Sequence, residues 1–301
     1  MISVQSWLPS GNKKHLGVFV PPSSLAVIGL GAIGGSLAWQ SRLAGVPRVT
    51  GYSPEPAEGI QALKTSAITE LADTPERAVR DAELVVLAAP PQATLDLIAS
   101  LASALEPAAF LTDVCSIKAP VIERAVQAGI GDRFAGSHPL AGTHETGFSS
   151  ARPERFRGCV VYICETGTAQ GHRPAGLVAD FWEHTLEASP VFISADAHDR
   201  QLAWTSHLPQ AVASALAKVV ADQQLGGVSF GAGARDSMRL AASSPDLWVD
   251  ILRYNREPMG EALARTEEAL AELRRLIAEE DVEGLRRYLQ TARLFRQGLD
   301  R

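Results

Sequence analysis

Over the first half of the chain, short continuous apolar runs alternate with segments of helical period. The runs 25-LAVIGL-30, 48-RVTGY-52, 84-LVVLAA-89, 109-AFLTDV-114 and 159-CVVYIC-164 lack the polar alternation of a half-exposed strand. They predict strands buried on both faces. Helical patterns fall between them near 34–44, 75–81, 92–104 and 117–129. This alternation predicts an α/β fold with a doubly wound, mostly parallel sheet covered by helices on both sides.

Beyond residue 170 the pattern becomes helical throughout, near 196–222, 233–243, 246–255, 257–279 and 281–297. Leu263, Leu270, Leu273 and Ile277 share one helix face, and Val282, Leu285, Leu289 and Ala292 share another. The stretch 165-ETGTAQGHRPAG-176 is rich in turn residues and marks the change. The predicted organisation is a loose arm over 1–23, which holds Pro21-Pro22, an α/β domain over 24–170, and an all-helical domain over 171–301.

The first strand runs into 29-GLGAIGGS-36, a G-x-G-x-x-G turn between a strand and a helix. That context makes it a dinucleotide-binding turn of the Rossmann type. Gly29, Gly31, Ala32, Ile33 and Gly34 are the candidate pyrophosphate contacts, with Ala89-Pro90 at the end of the third strand run on the same carboxyl edge. The second strand should end in an acid that binds the ribose 2′-hydroxyl, but Ser53 stands there, 24 residues after Gly29. A serine does not repel a 2′-phosphate, yet no Arg or Lys follows to attract one and Glu55 is close by. The cofactor reading is therefore NAD, with NADP open.

A length of 301 residues suits two domains. The net charge of −6 argues against a nucleic-acid partner, and no apolar run is long enough to span a bilayer. The N-terminus has no signal-peptide pattern. Cys115, Cys159 and Cys164 are odd in number, and their spacing fits no metal site. Together these predict a cytoplasmic protein with reduced thiols and no metal.

Two loops carry candidate chemistry. The run 112-TDVCSIK-118 leaves the sheet at its carboxyl edge, so Ser116 either faces the cofactor crevice or caps a helix starting at Ile117. In 136-GSHPLAGTHETG-147, glycines and a proline hold His138 in a loop without helical or strand period, where core packing is a poor explanation.

These motifs together resemble the prephenate and arogenate dehydrogenases of tyrosine biosynthesis. The family patterns D-V-G-S-x-K, H-P-M/I-A-G-[ST], S-H-L-P-H and F-[KR]-D-x-x-R-[IL]-A followed by D-P-x-x-W are matched in order. Here they read 113-DVCSIK-118, 138-HPLAGT-143, 206-SHLPQ-210 and 233-GARDSMRLAASSPDLWVDI-251. The resemblance covers roughly residues 25–297. It implies hydride transfer to NAD(P) with decarboxylation, His138 as the base, Ser116 bonded to the same substrate hydroxyl, and a homodimer joined through the helical domain. It also implies that Arg239 binds the ring carboxylate. His207, Thr143, His144, Arg235 and Trp248 become further substrate-pocket candidates. Residue reading alone leaves Arg239 a solvated helix face and His207 a packed core histidine as alternatives. Cys115 replaces the family glycine, Gln210 replaces the second histidine of S-H-L-P-H, and His144 stands where some members carry glutamate. His198, in 198-HD-199, recurs in the family, but the sequence assigns it no role.

Three other readings compete. A β-hydroxyacid dehydrogenase would need a catalytic lysine in the helical half, where only Lys218 is present. A relative acting on an amino-substituted prephenate analogue would share every motif. A non-catalytic NAD(P) sensor would not need to keep His138, Ser116 and Arg239 together.

Overall fold

The computed structural model describes residues 19–142, 145–223 and 226–299. The α/β half runs β1 (Ser24–Ile28), α1 (Ala32–Leu43), β2 (Arg48–Tyr52), α2 (Pro56–Lys64), β3 (Glu70–Leu71), α3 (Pro75–Ala78), β4 (Leu84–Leu87), α4 (Pro91–Leu101), β5 (Phe110–Asp113) and α5 (Ala119–Gln127). It closes with β6 (Phe134–Pro139), β7 (Val160–Cys164), α6 (His172–Asp180) and β8 (Ser189–Phe192). The strands form one sheet in the order β3-β2-β1-β4-β5-β6-β7-β8. Pairing is parallel from β3 to β6, β7 runs antiparallel to β6, and β8 is parallel to β7. The first six strands have the order of doubly wound dinucleotide-binding sheets.

Strand period distributes the core. In β1, Leu25 and Val27 join a cluster with Leu37, Phe156 and Trp182 on one face. Ala26 and Ile28 join Ile98, Ile117 and Phe134 on the other. Both faces are buried, which is why these strands read as unbroken apolar runs.

The sheet extends further than the expected boundary near 170. Val178, Phe181 and Trp182 pack into the first cluster, and β8 pairs with β7, so the sheet ends only at Phe192. The turn-rich stretch at 165–176 is a loop that runs into α6 at His172 within the α/β half, and not its end. Ser189 and Phe192 are exposed edge residues, so β8 shows no apolar run. The helices α2 and α6 also escape the sequence pattern, because each is only 9 residues long and buries only part of its surface.

The helical half comprises α7 (Ala195–Leu202), α8 (Leu208–Asp222), α9 (Ala232–Met238), α10 (Pro245–Tyr254), α11 (Arg256–Ala278) and α12 (Val282–Gly298). A π-turn over Ala203–His207 joins α7 to α8, so the expected helix 196–222 is continuous but widened. Pro209 explains the widening: its ring has no N–H and crowds the carbonyl four residues back. The two halves are tied where α10 meets α4. Gln92 N donates to Asp250 at 3.1 Å, and the Tyr254 hydroxyl donates to Gln92 Oε1. No helix among the described residues is long and apolar enough to cross a membrane.

The apolar faces read from the sequence on α11 and α12 are largely uncovered. Leu270, Ile277, Val282, Leu289 and Phe295 are 58–71% exposed. A stripe of that extent needs a covering surface in water. Light scattering should therefore give a mass near 64 kDa, twice the 32.0 kDa of the chain. Leu270→Glu combined with Leu289→Glu should shift it toward the single chain; a monodisperse 32.0 kDa species for the unaltered protein would refute the expectation.

Candidate active site

The glycine turn fits a pyrophosphate. Gly29 has φ +100°, and a Cβ there would meet Ala88 O at 2.3 Å. A Cβ on Gly34 would strike Gly29 O at 1.9 Å. Both glycines are therefore required by close backbone approach. Gly31 differs: a Cβ there would meet only the Glu58 carboxylate at 3.9 Å, so open space lies above the turn. Gly31 is the N-cap of α1 with no side-chain cap, which leaves the first N–H groups of Ala32 and Ile33 available to an anion. Ala89 and Pro90 lie between β4 and α4 on the same edge, Pro90 as the helix N-cap.

Ser53 follows the end of β2, as expected, but it does not stand alone. Its hydroxyl donates to Glu58 Oε2 at 2.6 Å. Glu58 lies in the first turn of α2, a helix absent from the expected elements.

At the far end of the crevice, His138 is the penultimate residue of β6, and its Nδ1 lies 2.8 Å from His198 Nε2. His198 Nδ1 lies 2.7 Å from Asp199 Oδ1. Asp199 also accepts Lys118 N at 2.7 Å and Ala119 N at 2.8 Å. These partners fix the proton positions. A carboxylate only accepts, so His198 carries its proton on Nδ1 and offers a lone pair at Nε2. His138 must then donate from Nδ1, which leaves its own Nε2 unprotonated. Tyr162, paired with His138 across β6 and β7, packs its ring edgewise on His198 at 5.5 Å.

The strand carrying His138 is braced by a buried ion pair. Lys118 Nζ bonds Asp113, both fully buried, and Asp113 also accepts Cys115 N at 2.9 Å and Ser137 N at 3.3 Å. Burial chiefly, then His198, Lys118 and His207, lower the His138 pKa well below its ordinary value. Burial likewise lowers that of His198, against the opposing pull of Asp199. Both rings are neutral at pH 7, and the free Nε2 of His138 is equipped to accept a proton.

Ser116 lies half-buried in the loop between β5 and α5, and it does not cap the helix. The helix starts at Ala119, later than the expected Ile117, and its free N–H groups are taken by Asp199. Cys115, at the family's glycine position, packs against Thr94 and Ala89 O. Burial, then the Asp113 charge, push its thiol up to about 12, so it is an inert packing residue.

His207 ends the π-turn and is fully buried. Asn255 donates from Nδ2 to Asp199 O at 2.8 Å and to His207 Nδ1 at 3.0 Å. Because the backbone carbonyl can only accept, the amide orientation is fixed and His207 Nδ1 is an acceptor. Its proton therefore sits on Nε2, which is buried and has no hydrogen-bond partner among the described residues. Burial holds its pKa at about 4. Trp248 is half-buried and meets the His207 ring edgewise at 5.9 Å. Arg235 and Arg239 are exposed and form no ion pair among the described residues, so the structure does not bring them into contact with the histidine cluster. Thr143 and His144 lie outside the described residues. Lys218 is 76% exposed and pairs with Asp222 on its own helix, which removes the β-hydroxyacid dehydrogenase alternative.

Known proteins match this arrangement along nearly the whole chain. Residues 38–188 match the nucleotide-binding domain of prephenate dehydrogenase, and residues 194–291 match its dimerization domain. The chain belongs to the prephenate dehydrogenase family. Prephenate dehydrogenase of Bacillus subtilis is 31% identical over 285 residues, 92% of this chain and 76% of that protein. Cyclohexadienyl dehydrogenase of Zymomonas mobilis is 33% identical over 85% of this chain and 89% of its own length. The crystal structure of A. aeolicus prephenate dehydrogenase with hydroxyphenyl propionate and NAD+ superposes with a TM-score of 0.85 at 27% identity, covering 94% of this chain and 99% of that one. Synechocystis arogenate dehydrogenase gives a TM-score of 0.76 at 28% identity, covering 92% and 99%. As a member of the prephenate dehydrogenase family, the chain is an oxidoreductase of the nicotinamide-dependent kind.

The buried histidines make stability depend on pH. A ring whose folded pKa is depressed takes up its proton more readily when unfolded, so the native state loses stability as pH falls. For His207 the window runs from about 6.5 down to about 4, and this ring alone costs on the order of 3 kcal/mol at the acid end. His138 and His198 act in the same direction. Urea unfolding should show stability roughly level above pH 7 and falling steadily from pH 6.5 to pH 4.5. Stability that is flat or rises over that interval would show that these rings are protonated in the folded protein.

Proposed function

We propose that the chain oxidises prephenate at C4 with loss of its ring carboxylate, giving 4-hydroxyphenylpyruvate and CO2. The observation that carries this reading is the His138–His198–Asp199 chain, which ends in a free imidazole lone pair at the carboxyl edge of a dinucleotide-binding sheet. The glycine turn would hold the pyrophosphate of a nicotinamide cofactor, which would supply the hydride acceptor for C4. His138 Nε2 takes the C4 hydroxyl proton as the hydride leaves. The imidazolium so formed shares its Nδ1 proton with His198, whose own charge preference is set by Asp199. This is the acid–base–orienter arrangement that raises the basicity of a buried ring in the transition state. Ser116 bonds the same hydroxyl and holds it toward His138. The ring is then a vinylogous β-keto acid, and release of CO2 makes it aromatic, which renders the reaction irreversible. Arg239, exposed and without an ion-pair partner among the described residues, is suited to bind the ring carboxylate with its guanidinium fork. Trp248, Arg235, Thr143 and His144 complete the proposed substrate pocket. NAD is the preferred cofactor, and a homodimer the working assembly.

Arogenate differs from prephenate by an ammonium group in place of the side-chain keto oxygen. His207 favours the keto acid, since it offers a neutral Nε2–H donor and no acceptor at that atom. An ammonium group would face a donor with a donor.

Steady-state kinetics with each substrate test these roles. His138→Asn keeps a polar group of similar size but cannot take the proton, so kcat should fall by roughly 10²–10⁴-fold with little change in KM. Arg239→Ala removes a contact made in both ground and transition states, so KM should rise steeply while kcat drops less. Retention of most kcat in His138→Asn would assign the base elsewhere. Separately, His207→Gln presents both a donor and an acceptor. The ratio of kcat/KM for prephenate over arogenate should then drop by about tenfold. An unchanged ratio would leave His207 a packed core residue.

A further inference from the structure

We infer that Glu58, and not the residue at the end of β2, is the group that binds the adenosine ribose hydroxyls and excludes a 2′-phosphate. The inference rests on the dinucleotide reading of the glycine turn and names the residue that sets cofactor choice within it.

The usual place for this acid is the carboxyl end of β2, where a carboxylate accepts from the ribose diol. Ser53 occupies that place, and its single hydroxyl donates to Glu58 Oε2 at 2.6 Å. That bond uses the serine proton and turns its hydroxyl into a brace for the carboxylate. The second oxygen, Glu58 Oε1, is the nearest atom to the space above Gly31, at 3.9 Å from where a Cβ would stand. It also lies 3.7 Å from the corresponding point on Gly147, in the loop that follows the His138 strand. Two glycines without side chains therefore face one carboxylate oxygen. The carboxylate sits where the chain leaves β2 for α2, beside the turn whose open space suits the phosphates.

Local charge agrees with this placement. Between Ser53 and Ile60 there are two acids, Glu55 and Glu58, and no Arg or Lys. Arg48, the nearest preceding base in the chain, is engaged with Glu70 at 3.2 Å. A ribose diol supplies two donors to a carboxylate acceptor, whereas a 2′-phosphate would bring negative charge against it with no Arg or Lys in the segment from Ser53 to Ile60 to offset the repulsion. Glu58 lies in the first turn of α2 behind Pro56, where the helix N-terminus stabilises a negative side chain. The helix thus delivers five residues later the acid that the strand lacks.

The test is direct binding of NAD and of NADP by titration calorimetry, with the intact protein and no substrate. The unaltered protein should bind NAD more tightly than NADP by roughly 30-fold or more. Glu58→Gln keeps the size and the Ser53 contact but removes the charge, so the NAD:NADP ratio should fall by about tenfold or more. Ser53→Ala, which leaves the carboxylate in place, should change the ratio by no more than about threefold. Unfolding curves for both variants show whether the fold is retained. A Glu58→Gln ratio equal to that of the unaltered protein, a preference for NADP in the unaltered protein, or a larger effect from Ser53→Ala would each overturn the assignment. If the protein binds NAD selectively but turns over neither prephenate nor arogenate, the proposed reaction fails while the Glu58 assignment stands.

Discussion

The Asp199 carboxylate is the contact on which the rest of the site depends. One side chain from the first helix of the helical half terminates α5 of the sheet half, by accepting Lys118 N and Ala119 N. The same side chain orients His198, and its backbone carbonyl accepts from Asn255. A helix N-terminus needs an acceptor, and a neutral histidine next to a carboxylate must present its proton to it. By meeting both needs, Asp199 joins the two halves of the chain and sets the tautomers of His198, His138 and, through Asn255, His207. The His138–His198 contact, which alone among the three rings crosses between the halves, would be lost if they separated.

Why so much of this polar apparatus is buried follows from what a base at neutral pH requires. A solvated histidine is partly protonated near its ordinary pKa. Burial removes that fraction by disfavouring the charged form, and the fully buried Lys118 adds to the effect at His138. Lys118 itself is tolerated in the interior because Asp113 meets it directly, and Asp113 is in turn held by the backbone of Cys115 and Ser137. Asp113 ends β5, Lys118 caps α5, and Asp113 also holds Ser137 N of the strand that carries His138, so the electrostatic bias and the geometric brace come from the same residues. Cys115 fits this picture as filling material: in so apolar a place its thiol stays protonated.

The legible part of the fold was the part with a simple period. β1, β2, β4, β5 and β7 are buried on both faces and were apparent as apolar runs. β3 has two residues, and β8 is an edge strand with exposed side chains, so neither carries a pattern. The boundary was misplaced because a loop rich in Gly, Thr and Pro looks the same within a domain as between domains. At the site, Gly29, Gly34 and His138 were legible from local motifs, although His138 lies in β6, paired with Tyr162, and not in the loop that follows. Asp199, Asn255 and Glu58 were not. Their meaning lies in partners 81, 48 and 5 residues away, and the last of these depends on a helix too short to show a clear period. The 198-HD-199 pair was visible, but without its partner at 138 it could be given no task.

The site is built unevenly, and the unevenness follows the chemistry. The groups proposed to move or orient the proton sit on the sheet edge and on α7, deep in packed surroundings. Arg239 and Arg235, suited to charged substrate groups, lie on exposed turns of the helical half. A proton acceptor gains from a dry, fixed environment, because its basicity and direction both degrade in water. A cation that must capture a diffusing dianion gains from remaining hydrated until the substrate arrives, since an unpaired buried guanidinium would destabilise the fold without it. The long apolar faces of α11 and α12 belong to the same exposed half. The proposed proton chain can thus stay constant while contacts to the substrate side chain differ, a division compatible with relatives named prephenate, arogenate and cyclohexadienyl dehydrogenase.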